Sequence, residues 1–502
     1  MISKIDDHPP GDAASANDMN ADSSQVVVIG GGLAGLTTAF YLHRQGIRTT
    51  LLESSARLGG ALQTTRHQGW LIDHGADMFA VSPPGALALC QDLGISHELI
   101  HANVARRGAM IVRDGRPYPI PEGFVLMRPT NRETILATQL LSAEGKNRVL
   151  AEGDVSPRLD VDQANQPVDE SVSDFVRRRF GEELLNRVVQ PLVGGIYTAD
   201  TNRLSMNATM RSFVEMERQH GSLDAATQAR MEAGIDSVER SSAGARYEQF
   251  RGFPDGMQRL IDALQDATVD TDCRLNCLVK RVTNVVDDQG RSSSWRVETN
   301  RGSIRSEHVV IATPARSTAE LLRPLCSPAS ELLDAIPMAS SAVVVLGVRK
   351  EDIQAPVDAF GIVVPICEQR NCLAISFASY KFPGRTPNDD HVLIRVFIGG
   401  MLQPELFDED DQRLVEIAMG DLRDLIGLKG SPVVRKVVRW KSAMPQYHLG
   451  HVRRIAEIRD HVAAFSGLHL VGNTYDGVGI APTIRLAKRV ADSIGERIRG
   501  RG

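Results

Sequence analysis

The run Gln25-Val-Val-Val-Ile-Gly-Gly-Gly-Leu-Ala-Gly35 constrains this chain more than any other stretch. An apolar strand, a glycine turn and a helix follow one another without a spacer. Gly30, Gly32 and Gly35 take the spacing G-x-G-x-x-G, with Gly31, Leu33 and Ala34 between them. Gly30 permits a tight turn out of the strand, Gly32 admits a pyrophosphate against the backbone, and Gly35 lets the helix lie flat on the sheet. The free N–H groups and positive dipole end of that helix then face the pyrophosphate. Alone the pattern is weak, a ligand-free glycine turn being the alternative, but its context agrees. A helical segment runs from Ala34 to Gln45, a second apolar strand covers Thr49 to Leu52, and the acid Glu53 ends it. An acid about 20 residues into such a unit accepts hydrogen bonds from a ribose diol.

A chain of 502 residues exceeds one compact core, so two or three domains are expected. The net charge of −5, with no basic run longer than Arg177-Arg178-Arg179, argues against a nucleic-acid partner. The cysteines Cys90, Cys273, Cys277, Cys326, Cys367 and Cys372 show no metal-ligand spacing and read as thiols of a reducing compartment, which points to the cytoplasm. Residues 1–24 lack an apolar signal core and read as a disordered tail. No window of 18 apolar residues predicts a membrane span, which leaves a peripheral membrane contact open.

The pattern predicts an α/β (α+β overall) chain with a discontinuous Rossmann-like domain. Residues 25–82, 249–315 and 436–500 are assigned to that domain, 83–248 to a mainly helical insertion, and 316–435 to an antiparallel-sheet substrate domain. Within the insertion, Glu170 to Gln190 reads as a helix capped by Ser173, with Phe175, Val176, Phe180, Leu184, Leu185 and Val188 as its apolar stripe. Residues 224–248 read as a surface loop or frayed helix. The chain closes with a strand, the turn Gly472 to Ile480, and a helix from Pro482 to Arg499. That helix start offers N–H groups to a developing negative charge.

Arg57-Leu-Gly-Gly60, directly after the second strand, resembles the R-x-G-G signature of the FAD-binding amine-oxidase-like superfamily. Three further blocks sharpen the likeness. Pro191 to Asp200 with Leu204-Ser and Phe213 to Leu223, Phe250 to Gln258, and Trp440 to His451 resemble the oxygen-dependent porphyrinogen oxidases. The resemblance spans about residues 24 to 498 and implies FAD as cofactor. It implies oxidation of protoporphyrinogen IX or coproporphyrinogen III in haem synthesis, with O2 as acceptor and H2O2 as product. A homodimer is left open. It places Gly30, Gly31, Gly32, Leu33, Ala34 and Gly35 at the diphosphate, Glu53 at the adenosine ribose, and Arg57, Gly60 and Ala61 along the cofactor. Gly75, Ala76, Asp77 and Met78 fall beside the isoalloxazine, Val279 at the adenine, Trp440 near the flavin, and Asn473, Val478, Gly479 and Ile480 over the ring.

The chain departs from the family in three places. Ala76 stands where proline is frequent, Ala481 precedes Pro482 where proline often follows at once, and Ala76 to Ser82 carries no base to hold a substrate propionate. Asp77 would repel a carboxylate there. Arg128, Arg211 and Arg251 are candidates for the missing charge, although a solvated surface role is the simpler reading of each, and the lack of a base tilts the reading slightly toward protoporphyrinogen. The hydride chemistry needs orientation more than side-chain catalysis, so no catalytic residue is assigned. His448 and Tyr475 are candidate helpers, with packing as the alternative. A flavin amine or carotenoid-type oxidoreductase, and a non-catalytic protein that kept the fold, are the competing readings.

Overall fold

Residues Val26 to Ile29 are apolar at consecutive positions, the composition of a strand covered on both faces, and all four are buried. The computed structural model describes residues 22–82, 84–103, 108–163, 165–234, 250–286 and 292–500. The first strand spans Asp22–Ile29 and pairs in parallel with Gly302–Ile311 on one side and Thr49–Leu52 on the other. Asp22 to Ser24 therefore belong to the strand and not to the tail, because pairing with Ile304 to Ser306 extends it. Residues 1–21 lie outside the described residues.

Asp272–Arg274 extends this sheet beyond Thr49–Leu52, again in parallel. On the far side Gly302–Ile311 is shared. Its first half joins an antiparallel meander with Ser292–Thr299 and Val279–Val286, and its last three residues pair in parallel with Leu468–Leu470. The end of the chain thus returns to the sheet that its beginning opened. The closing helix, Ile480–Arg499, packs against the first helix, Leu33–His43.

A second sheet of seven strands runs in the order Val434–Pro445, Met338–Arg349, His391–Gly399, Cys372–Phe377, Gly361–Val363, Ala109–Arg113, Arg116–Pro119. Two of the sequence-based boundaries change here. Residues 436–445 hydrogen-bond into this second sheet and not into the first, and the hairpin 109–119 leaves the helical insertion to complete the sheet's other edge. The helices Ala315–Leu322 and Ser327–Asp334, assigned by sequence to the sheet domain, bury their apolar faces in the core around the first sheet instead.

In the helical region the segment expected from Glu170 to Gln190 is interrupted. Its first helix is Val172–Phe180, capped by Ser171, whose Oγ accepts from Asp174 N at 3.0 Å. Ser173 is buried and hydrogen-bonds Thr201. Gly181, at φ 92°, ends that helix, and the chain resumes helically through a π-turn at Leu185–Val189 to Tyr197. The predicted apolar stripe is buried. Leu223–Glu232, expected as loop or frayed helix, is a helix capped by Ser222, and residues 235–249 lie outside the described set. Among the described residues no helix is long and apolar enough to cross a membrane.

The element that joins the two sheets is the hairpin Thr64–His67 and Trp70–Asp73. Its two-residue turn places Gln68 and Gly69 at φ 48° and 81°, the positive angles a tight hairpin needs. Trp70 packs on Gly347 of the second sheet, where any Cβ would come within 2.4 Å of the indole. This contact docks the hairpin, and the turn that follows it, onto the second sheet.

Candidate functional site

At the first turn, Gly30 N donates to Leu52 O at 2.8 Å, and Gly30 takes φ 107°. A Cβ on Gly35 would lie 1.9 Å from Gly30 O, so helix and strand meet backbone to backbone. Gly32 is different: a Cβ there meets nothing nearer than Gly60 Cα at 3.9 Å. That is an ordinary contact distance, so there is room beside Gly32 at the start of a backbone line, the slot, that runs by Gly60 and Ala61 to Gly75. The helix Leu33–His43 starts from Gly32 with no side-chain cap and no acid in its first turn, leaving its N–H donors to an anion.

The Arg57 to Gly60 turn lies against this one. Gly59 N donates to Gly31 O at 2.8 Å, and Gly60 packs on Gly32, where a Cβ on Gly60 would lie 3.2 Å from Gly32 Cα. The Arg57 guanidinium folds back to donate to Leu58 O at 3.1 Å and Gly60 O at 2.5 Å. It therefore holds the turn's shape. Glu53 accepts from Gly31 N at 2.7 Å and Ser55 N at 2.8 Å, which fixes its carboxylate at the mouth of the turn. Cys277 N donates to Glu53 O at 2.8 Å, so Val279, two residues on and partly exposed, runs beside the same edge.

Following the slot from Gly60, Ala61 is exposed and its carbonyl meets Gly75, where a Cβ would lie 2.4 Å from Ala61 O and 3.8 Å from Trp440 Cζ2. The Trp440 indole donates to His74 O at 3.1 Å. Lys436 Nζ lies 2.9 Å from His74 Nε2. An ammonium can only donate, so that nitrogen accepts and the ring is neutral. Burial first, then Lys436, Arg57 and Arg395, lower the His74 pKa to about 4.

The Asp77 side chain is buried. Lys381 Nζ lies 3.0 Å and Arg395 Nη1 3.1 Å from its carboxylate. Arg395 also donates to Gly75 O. Burial opposes ionisation of Asp77, but Lys381 and Arg395 together hold its carboxyl well below the usual carboxylate range. Beside them Arg385 approaches Asp73 at 3.7 Å and donates to Pro254 O and Phe253 O. The sequence reading of a turn without a basic neighbour is thus corrected: two bases arrive from more than 300 residues away. Arg395 had one visible signal, a single charge inside the apolar strand His391–Gly399. Lys381 had none. Met78 packs with Ile100, Phe360 and Phe382.

The three candidate propionate partners lie apart. Arg128 is buried in the helical region, donates to Thr227 Oγ1 at 2.7 Å, and lines a cavity of about 340 Å³ that shares no residue with the slot. Arg211 pairs with Glu215 at 2.9 Å on an exposed helix face. Arg251 alone adjoins the turn, on a strand between Phe79–Ala80 and Ile100–His101.

At the far end, the closing helix starts from Gly479 with no side-chain cap and no acid in its first turn. Tyr447 staples the preceding turn: its OH donates to Asn473 O at 2.6 Å and accepts from Gly477 N at 2.9 Å. Tyr447 lies inside the block Trp440 to His451, between the residues Trp440 and His448 that the sequence points to. Tyr475 is buried in the nucleotide core, and His448 is buried with its backbone bridged to Leu204. Neither adjoins the slot through a contact in the structure. The blocks 191–205 and 440–451 meet here, because Gln446 donates to Tyr197 O at 3.1 Å and Ser205 N to Tyr447 O at 2.8 Å.

Two uncapped helix starts joined by a line of glycines fit a long dinucleotide with anionic character at both ends. The family of flavin containing amine oxidoreductases matches residues 33–495. The chain belongs to this family: it is an oxidoreductase, and its cofactor is FAD. Within the family the similarity runs to porphyrinogen oxidases. A coproporphyrinogen III oxidase of Bacillus subtilis is 29% identical over 95% of this chain and 99% of its own length. One from Propionibacterium freudenreichii is 30% identical over 95% and 91%. Protoporphyrinogen oxidase 2 of Arabidopsis thaliana is 27% identical over 94% and 93%. A solved structure from Exiguobacterium sp., assigned as a protoporphyrinogen oxidase, superposes with a TM-score of 0.81 at 27% identity, over 95% of this chain and 100% of that one. Cyclohexylamine oxidase from Brevibacterium oxydans, at 16% identity and TM-score 0.67, shares the fold.

Proposed function

We propose that this chain oxidises a porphyrinogen to the corresponding porphyrin, with O2 as final acceptor. The observation that carries this reading is convergence. The blocks 191–205 and 440–451, which resemble porphyrinogen oxidases in particular, hydrogen-bond to each other and to the turn Asn473 to Gly477. Similarity over nearly the whole length of named porphyrinogen oxidases supports it.

Bound FAD supplies a hydride acceptor that O2 returns to the oxidised form with release of H2O2. On this reading Gly30 to Gly35 hold the diphosphate, Glu53 the ribose, Val279 the adenine edge, and Gly60, Ala61 and Gly75 the length of the slot. Trp440 walls it, and the helix start at Gly479 and Ile480 favours negative charge at the ring end. The chain's contribution is to orient the macrocycle so that a meso carbon faces the ring. Tyr447 is not a base: burial raises its phenol far above neutrality and both faces of its OH are engaged. Macrocycle protons leave to solvent.

Asp77, neutralised by Lys381 and Arg395, does not oppose a carboxylate-rich substrate, which removes the reason for preferring protoporphyrinogen. Coproporphyrinogen III is the first substrate to try. The test follows porphyrin fluorescence with the purified yellow protein in air, using coproporphyrinogen III and protoporphyrinogen IX side by side, with peroxide measured. Growth well above the spontaneous rate with either supports the reading. No enhancement with either rejects it in favour of amine oxidation.

A further inference from the structure

We infer that the buried group Lys381–Asp77–Arg395 sets the reduction potential of the flavin by its charge, as a positioning and electrostatic element behind the cofactor face. The inference rests on the reading that FAD extends from Gly32 past Gly60 and Ala61 to Gly75.

Its parts are fixed by geometry. Asp77 follows the Gly75 turn by two residues and is buried between two cations, Lys381 at 3.0 Å and Arg395 at 3.1 Å. All three residues are nearly inaccessible to water. Arg395 binds Asp77 with one nitrogen and Gly75 O with another, so the group is tied to the backbone that walls the slot. Further out, Arg385 stands beside Asp73, and Lys436 beside the neutral His74. Counting the buried residues alone, Lys381, Arg385 and Arg395 face Asp73 and Asp77, which leaves one net positive charge.

A structural role alone does not require that excess. One cation would neutralise Asp77; the second, Arg395, is held by Gly75 O and the face of Phe397, neutral groups that leave its charge uncancelled. Taking up two electrons and one proton gives a flavin one negative charge, and a fixed positive charge near it favours the reduced form. Low dielectric and burial lengthen the reach of that charge. The group would therefore make the bound FAD a stronger hydride acceptor.

Sign separates this from packing. Lys381→Met removes a positive charge and should lower the FAD potential. Asp77→Asn removes a negative one, in nearly the same shape, and should raise it. Lys381→Arg keeps the charge and should stay near wild type. The measurement is spectroelectrochemical titration of each purified FAD-bound protein at pH 7.5 against a dye of known potential. A tenfold change in the reduction equilibrium, about 30 mV for a two-electron couple, is the expected size in each direction. Shifts of the same sign in Lys381→Met and Asp77→Asn, or none in either, from yellow proteins would overturn the inference and leave the proposed function standing. If Asp77→Asn does not fold, a Lys381→Met potential equal to that of Lys381→Arg overturns it by itself. A wild-type protein that takes up no FAD would remove both the inference and the reading beneath it.

Discussion

Between Gly30 and Gly60 the slot is made of backbone. Between Gly75 and Met78 it is braced by side chains that arrive from another sheet. The first region works by leaving atoms out: Gly35 where a Cβ would strike Gly30 O, and Gly32 where a ligand needs the space. The second works by crowding charges together, with Lys381 and Arg395 closing on Asp77. Backbone cradles depend on residues close in sequence. Charge clusters depend on the register of distant strands. The two regions should accordingly fail in different ways.

The largest effect is expected in the second region. Asp77→Ala leaves Lys381 and Arg395 without their carboxylate. Breaking a buried pair on one side costs about 3–5 kcal/mol, because charge stays behind uncompensated. Denaturant unfolding should show that loss, and the double variant with Lys381→Met should recover part of it. If the two losses simply add, the cluster is not coupled and the comparison breaks.

Next in size is Gly35→Ala. The added methyl has no room between helix and first strand, so overpacking should cost about 3 kcal/mol, the upper end for such changes. The loss should appear in the FAD-free protein too. A stable Gly35→Ala protein would mean that the helix can lift from the sheet.

The same contrast explains what could be read from the chain before its fold was known. The parallel nucleotide sheet, the glycine turn and Glu53 were legible because strand, turn and acid follow within 30 residues, and each glycine has one steric reason. The Asp77 environment was not legible. Lys381 and Arg395 reach it only because His391–Gly399 pairs inside the second sheet and the Trp70 hairpin docks on Gly347. Residues 436–445 were placed in the first domain for a related reason: nothing local in their sequence shows which sheet they join, and it is pairing with Met338–Arg349 that decides it. Tyr447 lay inside a recognised block, yet its role depends on the carbonyl of Asn473, 26 residues on.

A smaller effect is expected from His74, where the two regions meet through Arg57 and Arg395. Its pKa in the folded chain is lowered to about 4, below that of an unfolded histidine near 6.5. The unfolded state then binds more protons between those values, so stability is full above pH 6.5 and falls as pH drops toward 4. Partial solvent screening limits the loss to about 1–2 kcal/mol. Thermal unfolding across pH 4 to 7.5 should show a shallower slope in His74→Gln. An unchanged slope would mean that the ring is not kept neutral by Lys436.

Gly32→Ala should barely change stability, and for that reason it is the sharpest test of the comparison. Gly32 takes φ −74°, which alanine adopts freely, and its Cβ would make only an ordinary van der Waals contact, with Gly60 Cα 3.9 Å away. Exchange of an N-cap glycine for alanine costs under about 1 kcal/mol. The FAD-free protein should therefore unfold close to wild type. The same methyl would stand where a pyrophosphate must approach the helix N–H groups, so FAD affinity should fall at least tenfold, measured by flavin fluorescence on release. Gly35→Ala would lose stability first and FAD as a consequence. Gly32→Ala would lose FAD alone. If both variants lose stability equally, Gly32 is a packing residue and the slot lies elsewhere. If Gly32→Ala binds FAD as well as wild type, the diphosphate does not rest on this turn.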